Sequence, residues 1–240
     1  ITKIHQIEFD TTYAYVAFNK PNEKQLSTEK FIGVDLNATS HCAVAADPVS
    51  GKVIKLGKQA PHIHKKYKAL RSSFQRQKLY KKLKETKGKE TRKVKDINHK
   101  ISGQIVQFAK NNKCGIKLED LTNIRNNKKN NKTFRYTLNS WSYYQLGVMI
   151  AYKALLQGIP VQYINPAYTS QNCSRCGYLG KRNGKIFKCV NCNHTGHADV
   201  NASFNIAKSL DMISTTEKKI GGNGDTDTPM RQSNALSKAF

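Results

Sequence analysis

The stretch that decides the fold is Phe31–Leu56, FIGVDLNATSHCAVAADPVSGKVIKL. Three apolar runs within it, Phe31–Leu36, His41–Ala46 and Lys52–Leu56, are rich in strand formers. Asn37-Ala38-Thr39-Ser40 and Pro48-Val49-Ser50-Gly51 supply turn residues between them. Connections this short leave no room for a crossover, so the three strands read as an antiparallel meander. Farther along come helices, a strand at Gly115–Leu121 (GIKLEDL), a helix over Ser140–Gln157 capped by Gly158, a strand at Pro160–Ile164 and a helix from Asp199 to Leu210. Antiparallel strands followed by βα crossovers predict an α/β fold, a mixed sheet with helices on its faces.

The first strand sets an acid among apolar residues. Two-residue alternation puts Asp35 on one face with Gly33, and Val34 and Leu36 on the other. A carboxylate there is costly unless it is paired, hydrogen-bonded or metal-bound; the plain alternative is a turn cap. Glu119 and Asp120 end the strand Ile116–Leu118 and face opposite sides, so only one can join Asp35, and the residues leave that choice open. Asp199 opens the last helix in HADVNAS, where Asp is also a good N-cap. Three carboxylates meeting at one sheet edge can hold two Mg²⁺ or Mn²⁺ about 3.5–4 Å apart and hydrolyse a phosphodiester. Such ions demand hard oxygen ligands, which explains acids in these places.

Upstream, residues 1–30 read as a hairpin built on Ile4, Ile7, Phe9, Tyr13, Tyr15, Val16 and Phe18 and ended by Pro21-Asn22. A hairpin alone is marginal in water, so it either packs on the rest of the chain or ends a β domain lying upstream. Between the meander and GIKLEDL, residues 62–112 read as a helical hairpin. Tyr67, Leu70 and Phe74, then Val94, Ile97, Ile101, Ile105 and Phe108, recur at helical steps. Its other faces are basic, with 14 Lys/Arg and 2 acids from Lys65 to Lys95. A charge run is ordinarily a solvated face, but this imbalance leaves too few acids for ion pairing and points to phosphate. The candidate contacts are Lys65, Lys66, Lys68, Arg71 and Arg76 on the first helix. Lys78, Lys81 and Lys82, then Arg92 and Lys93, continue the surface.

The whole chain agrees: among 240 residues, 41 Lys/Arg against 16 Asp/Glu give a formal charge of +25. Self-repulsion of that size favours a polyanionic partner, nucleic acid above all. An anionic membrane surface is the rival and fits poorly, because no apolar run approaches the roughly 20 residues of a spanning helix and Lys153 interrupts the best candidate, Leu146–Leu156; no membrane partner is expected.

Four of the six cysteines form Cys173-x-x-Cys176 and Cys189-x-x-Cys192, with twelve residues between the pairs. Two such turns can set four thiolates about 2.3 Å from Zn²⁺. A redox CxxC is the rival, but two pairs at this spacing argue against it. With all four positions taken by cysteine the ion is structural, and it would supply much of the ribbon's folding free energy. His194 and His197 read as polar surface or nucleic-acid contacts. Cys42 and Cys114 read as buried thiols. Tyr168, Tyr178 and Phe187 suit base stacking or core packing equally. Asn123–Lys132 reads as a basic loop, and the tail beyond Ser214 as disordered.

GVDLN (33–37), LEDL (118–121), TSQNCSRCG (169–177), CVNC (189–192) and HADVNAS (197–203), with KDINHKI (95–101) in the basic hairpin, occur in a familiar order. Over residues 31–212 the chain resembles the C-terminal part of the TnpB (OrfB) proteins of insertion sequences, relatives of the type V CRISPR effectors. The resemblance implies an RNase H-like (RuvC) core over 31–168 completed by a last helix at 197–212, with a zinc ribbon inserted at 169–196. Residues 1–30 would end an N-terminal β domain, and 213–240 would be a disordered tail. It implies catalysis by Asp35, Glu119 and Asp199 holding Mg²⁺ (or Mn²⁺), so Glu119 is taken over Asp120, and Zn²⁺ on Cys173, Cys176, Cys189 and Cys192. The expected function is metal-dependent, RNA-guided DNA endonuclease, with target DNA and guide RNA as partners, in the prokaryotic cytoplasm at the nucleoid. The family's longer N-terminal region is expected to be needed for guided cleavage. Asn37 stands where Gly is frequent and is expected to affect only the turn. The rival classes are a non-catalytic zinc-ribbon nucleic-acid binder, and a resolvase on the same fold cutting branched DNA without RNA.

Overall fold

The computed structural model describes residues 3–19, 23–121 and 142–210, and the backbone of 212–213. The strands before the basic helices are β1 (Lys3–Phe9), β2 (Ala14–Asn19), β3 (Phe31–Leu36), β4 (Ala43–Ala46) and β5 (Val53–Leu56). Helices α1 (Gln59–Arg76), α2 (Tyr80–Glu85) and α3 (Lys89–Asn111) follow, then β6 (Gly115–Glu119), α4 (Tyr143–Leu156) and β7 (Val161–Ile164). The cysteine segment forms β8 (Gly180–Asn183), β9 (Ile186–Cys189) and β10 (Thr195–His197), and α5 (Ala198–Lys208) and β11 (Met212–Ile213) close the described chain.

The central sheet is mixed, in the order β11-β7-β6-β3-β4-β5. β3, β4 and β5 form the antiparallel meander, and β6 and β7 run parallel to β3 after crossovers. Alternation sorts the two faces. Ile32, Val34 and Leu36 of β3 and Ile116 and Leu118 of β6 share a core with Ile101 and Ile105 of α3 and Leu146 and Ile150 of α4. The other face carries Gly33, Asp35, Lys117 and Glu119 and is covered by α5.

Glycine is required at position 33, because a Cβ there would lie 2.0 Å from Ser203 O and 2.4 Å from Ala207 N. This close approach sets the height of α5 over the sheet. Ser203 Oγ donates to Val44 O at 2.8 Å. The buried Lys117 Nζ donates to Ala207 O and Ser209 O at 3.2 and 2.7 Å, meeting helix-end carbonyls that have no partner within the helix. Lys117 explains one departure from the sequence reading. The last helix does not run to Leu210 or residue 212 but ends at Lys208, Ser209 is extended, and Met212–Ile213 pair antiparallel with β7.

The basic hairpin also differs: it has three helical pieces, broken where Lys78 and Gly88 adopt positive φ of 56° and 74°. Glu90 at the start of α3 ties the pieces together, accepting from His64 (2.6 Å) and Arg71 of α1.

The hairpin β1–β2 is exposed along its whole length and does not pack on the core. A bulge between Ile4 and Gln6 sets Ile4 opposite Phe18, as Ile7 is opposite Val16 and Phe9 opposite Ala14. Opposite residues share a face, so one side of the hairpin is apolar. The connecting segment is anchored, with Leu26 N–H on Gly158 O at 2.7 Å and Thr28 Oγ1 on Lys113 O at 3.3 Å. Pro21-Asn22, the start of the 140–157 helix, the Asn123–Lys132 loop and the tail beyond Ser214 lie outside the described residues. Among the described residues no helix is long and apolar enough to cross a membrane.

Candidate active site and cysteine module

Asp35 leaves β3 on the α5 side, as its alternation with Gly33 requires, and is buried. Glu119 lies on the same face of β6 as Lys117. Asp120 turns away toward Tyr163, whose phenol is raised by burial and then by the charge of Asp120. Glu119 and not Asp120 therefore shares the face of Asp35. Asp199 is not the N-cap of α5: His197 holds that position with extended backbone, and Asp199 is fully buried in the first turn. Asp35 senses the other two acids. Burial and the charge of Glu119 push Asp35 up to about 7, Asn37 opposes this through a hydrogen bond, and Asp199 adds to it. Burial also raises Glu119.

Several residues that complete this site escaped the sequence reading. Asn37 does more than shape a turn: its Nδ2 donates to Asp35 Oδ2 at 2.8 Å. Thr169 Oγ1 donates to Glu119 Oε1 at 2.5 Å. Arg182 Nη2 lies 3.2 Å from Asp199 Oδ1, and Lys185 Nζ lies 2.6 Å from Asp199 Oδ2. His197 Nδ1 is 3.9 Å from the same Oδ2, and burial, then Lys55, holds its ring below the ordinary imidazole range. Thr169 precedes the first cysteine pair, and Arg182 and Lys185 sit on the β8–β9 hairpin, so the cysteine segment reaches Glu119 and Asp199. Asparagines on α5 fix the approach. Asn201 Nδ2 donates to Asn172 O and Asn201 Oδ1 accepts from Ser174 N–H. Asn205 Nδ2 donates to Thr169 O and Asn172 O.

The donor set of three carboxylates fits a hard divalent cation, and the burial of ionisable acids beside one another is a condition that such a cation relieves. The carboxylates are spread more widely than the cysteine sulfurs. Among the described residues, Cys173, Cys176, Cys189 and Cys192 are the group whose ligand atoms all lie within 4.8 Å of one another. Sγ of Cys173 is 3.7 Å from Cys192, and Sγ of Cys176 is 3.5 Å from Cys189. A tetrahedron with Zn–S of about 2.3 Å has an edge near 3.8 Å, so the spacing fits zinc. Backbone N–H groups of Asn191 and Cys192 approach Cys189 Sγ at 3.4 and 3.5 Å, and the N–H of Tyr178, then the neighbouring thiols, draw Cys176 down to about 6. Against the lowering pull of the His194 N–H, burial and the same neighbouring thiols push Cys192 up to about 12, so in the metal-free cluster the charge gathers on Cys176. The residue after each pair, Gly177 and Asn193, has φ of 77° and 54°, giving the two turns the same exit. His194 packs by the buried Phe187, the centre of the small ribbon core. Tyr168 and Tyr178 are exposed, so of the three aromatics considered for stacking only these two are open to a base.

Nine of the ten basic candidates, from Lys65 to Lys93, are exposed on α1, α2, α3 or their connections. Arg71 is half-buried and engaged with Glu90. Lys93 Nζ also lies 5.9 Å from the Tyr67 ring.

The fold and site define an α/β protein whose mixed sheet carries two acids on the face covered by one helix, a third acid in that helix's first turn, and a four-cysteine module inserted before it. The Cas12f1-like TNB domain family model matches residues 143–206, from α4 through the cysteine module into α5. A TnpB-like protein of Methanocaldococcus jannaschii is 36% identical over 193 residues, covering 75% of this chain and 69% of the relative. The CRISPR-associated endodeoxyribonuclease Cas12f1 of Sulfoacidibacillus thermotolerans is 32% identical over 230 residues, 88% of this chain and 53% of that protein. The chain belongs to the TnpB-like family, to which Cas12f effectors are related. It spans about half the length of that Cas12f1 relative. A cryo-EM structure of a Cas12f1–sgRNA–target DNA complex superposes with a TM-score of 0.62 at 24% identity, over 81% of this chain and 52% of that one, a likeness of fold.

Proposed function

We propose that this chain is the nuclease part of an RNA-guided DNA endonuclease that hydrolyses phosphodiesters. The observation that carries the proposal is the electrostatic reach of Glu119 on β6 and Asp199 in the first turn of α5 to the buried Asp35, in a TnpB-like chain. Residues 31–168 and the last helix form an RNase H-like core, 169–196 form the inserted zinc ribbon, and 1–30 end a preceding β domain. Divalent ions on the three carboxylates, Mg²⁺ or Mn²⁺, would activate water and stabilise the leaving 3′ oxygen.

The chain's own residues do the rest. Asn37 and Thr169 each hold one oxygen of an acid and so orient the other outward. The four cysteines hold Zn²⁺ and thereby the hairpin that carries Arg182 and Lys185. The exposed cations of α1–α3 grip nucleic-acid backbone by charge and shape, while the guide RNA reads sequence by base pairing. Relatives named as endodeoxyribonucleases, and a structural neighbour solved with sgRNA and target DNA, support DNA and RNA as partners. A prokaryotic nucleoid is the corresponding location.

The test is a cleavage assay on matched and mismatched DNA, with and without RNA from the transposon end, using this chain and the chain extended by its family's N-terminal region. Cutting confined to RNA-matched DNA and lost in Asp35→Ala is expected. Cutting of branched DNA without RNA would favour a resolvase instead. Tight, salt-sensitive binding that never leads to cutting, even in the extended chain, would favour a non-catalytic binder.

A further inference from the structure

Asp199 is fully buried, and the cysteine module covers both of its oxygens with cations. Arg182 Nη2 takes Oδ1 at 3.2 Å and Lys185 Nζ takes Oδ2 at 2.6 Å, with side chains 35% and 30% exposed. Lys185 Nζ also lies 3.5 Å from Asn37 Oδ1, on the asparagine that holds Asp35, so one ammonium spans two of the acids. The main chain at Lys185 is pinned, its carbonyl accepting from Ala198 N–H, the first residue of α5, at 2.9 Å. Its side chain is a flexible four-carbon stem ending in a compact charge. The neighbouring turn is open on its outer side, since a Cβ at Gly184 would meet nothing within 4 Å.

A divalent cation and these two cations compete for the same carboxylate oxygens. A nucleic-acid strand offers the partly exposed Lys185 and Arg182 another anion, its phosphates. We propose that Lys185, assisted by Arg182, is a phosphate-binding gate on metal loading at Asp199. In the nucleic-acid-free chain it neutralises Asp199. The phosphate of a bound strand draws it away and releases the carboxylate to metal. Linkage makes the effect reciprocal, so metal at Asp199 strengthens the hold of Lys185 on the strand. The gate rests on the carboxylate metal site of the proposed function, and it would keep the nuclease metal-poor until a strand is in place.

The test counts Mn²⁺ bound to the zinc-loaded chain by EPR, with and without a short phosphorothioate oligothymidylate, scoring only Mn²⁺ lost in Asp35→Asn. The oligonucleotide should tighten Mn²⁺ binding by roughly tenfold in the unmodified chain, within the usual range of such couplings. Lys185→Met should bind Mn²⁺ that tightly on its own and gain nothing from the oligonucleotide, whereas Lys185→Arg should keep the gating. Circular dichroism confirms that both variants fold. Equal Mn²⁺ affinity in the unmodified chain and Lys185→Met, or no effect of the oligonucleotide on the unmodified chain, overturns the gate while leaving the metal site standing. Absence of any Mn²⁺ sensitive to Asp35→Asn overturns the metal site itself, and the gate with it.

Discussion

Asp35→Asn should stabilise the chain at alkaline pH in buffer free of Mg²⁺ and Mn²⁺. Burial and Glu119 raise the Asp35 carboxyl from 3.8 to about 7. The folded chain therefore keeps this proton to a higher pH than the unfolded chain does. Folding takes up a proton between the two values, so the stability contributed by Asp35 is full below about pH 4, falls as pH rises, and levels off above about 7. At about 1.4 kcal/mol per pKa step, the loss approaches about 4 kcal/mol. Asparagine has nearly the same shape and no charge to lose. Urea unfolding of the zinc-loaded chain and the variant gives the difference directly. Between about pH 5.5 and about pH 8.5, where much of the window lies, it should grow by about 2 kcal/mol in favour of the variant. Adding Mn²⁺ at the higher pH should stabilise the unmodified chain and leave the variant unmoved. A difference flat with pH, or one that favours the unmodified chain more as pH rises, would refute the burial of an ionisable Asp35 beside Glu119.

Removing zinc with a strong chelator, or Cys173→Ser, should unfold the ribbon and loosen Arg182, Lys185 and Thr169 from the acids, since so small a core depends on its metal; zinc content and hydrogen exchange across 169–199 check this. Gly33→Ala should cost about 1–3 kcal/mol or more by driving a methyl into the backbone of α5, read as a lowered Tm with diminished cleavage. Lys81→Ala with Lys82→Ala should lower the log–log salt slope of duplex binding by about 1.8 without changing Tm, if both contact phosphate. Arg71→Ala should instead lower Tm, because Arg71 holds Glu90 across α1 and α3.

Much of the sheet was legible because its signals are local. The meander follows from three apolar runs with turn residues between them, and the two CxxC pairs announce themselves by spacing. Alternation around Gly33 and Asp35 gave the face on which the acid lies, but not which of Glu119 and Asp120 shares it; the register of β6 against β3 puts Glu119 there. The residues that dress the acids were invisible because their partners are distant in sequence. Lys185 reaches Asn37 across 148 positions, and Thr169 reaches Glu119 across 50. In a chain with 41 Lys/Arg, Arg182 and Lys185 carried no distinguishing mark. Asn37 was discounted as a turn residue although it stands two positions from an acid on a strand end. One overlooked signal was Lys117, a cation inside an apolar strand at a two-residue step from Glu119. Its burial against the end of α5 is also why the last helix stops early.

The decisive experiment is cleavage of labelled, RNA-matched DNA by the zinc-loaded chain extended by its family's N-terminal region, with guide RNA and Mn²⁺, set beside Asp35→Ala, Glu119→Ala and Asp199→Ala. Cutting should need the divalent metal and be lost in each of the three variants while their fold and zinc content persist. Cutting that survives any one of these substitutions, or that proceeds without divalent metal, would contradict it.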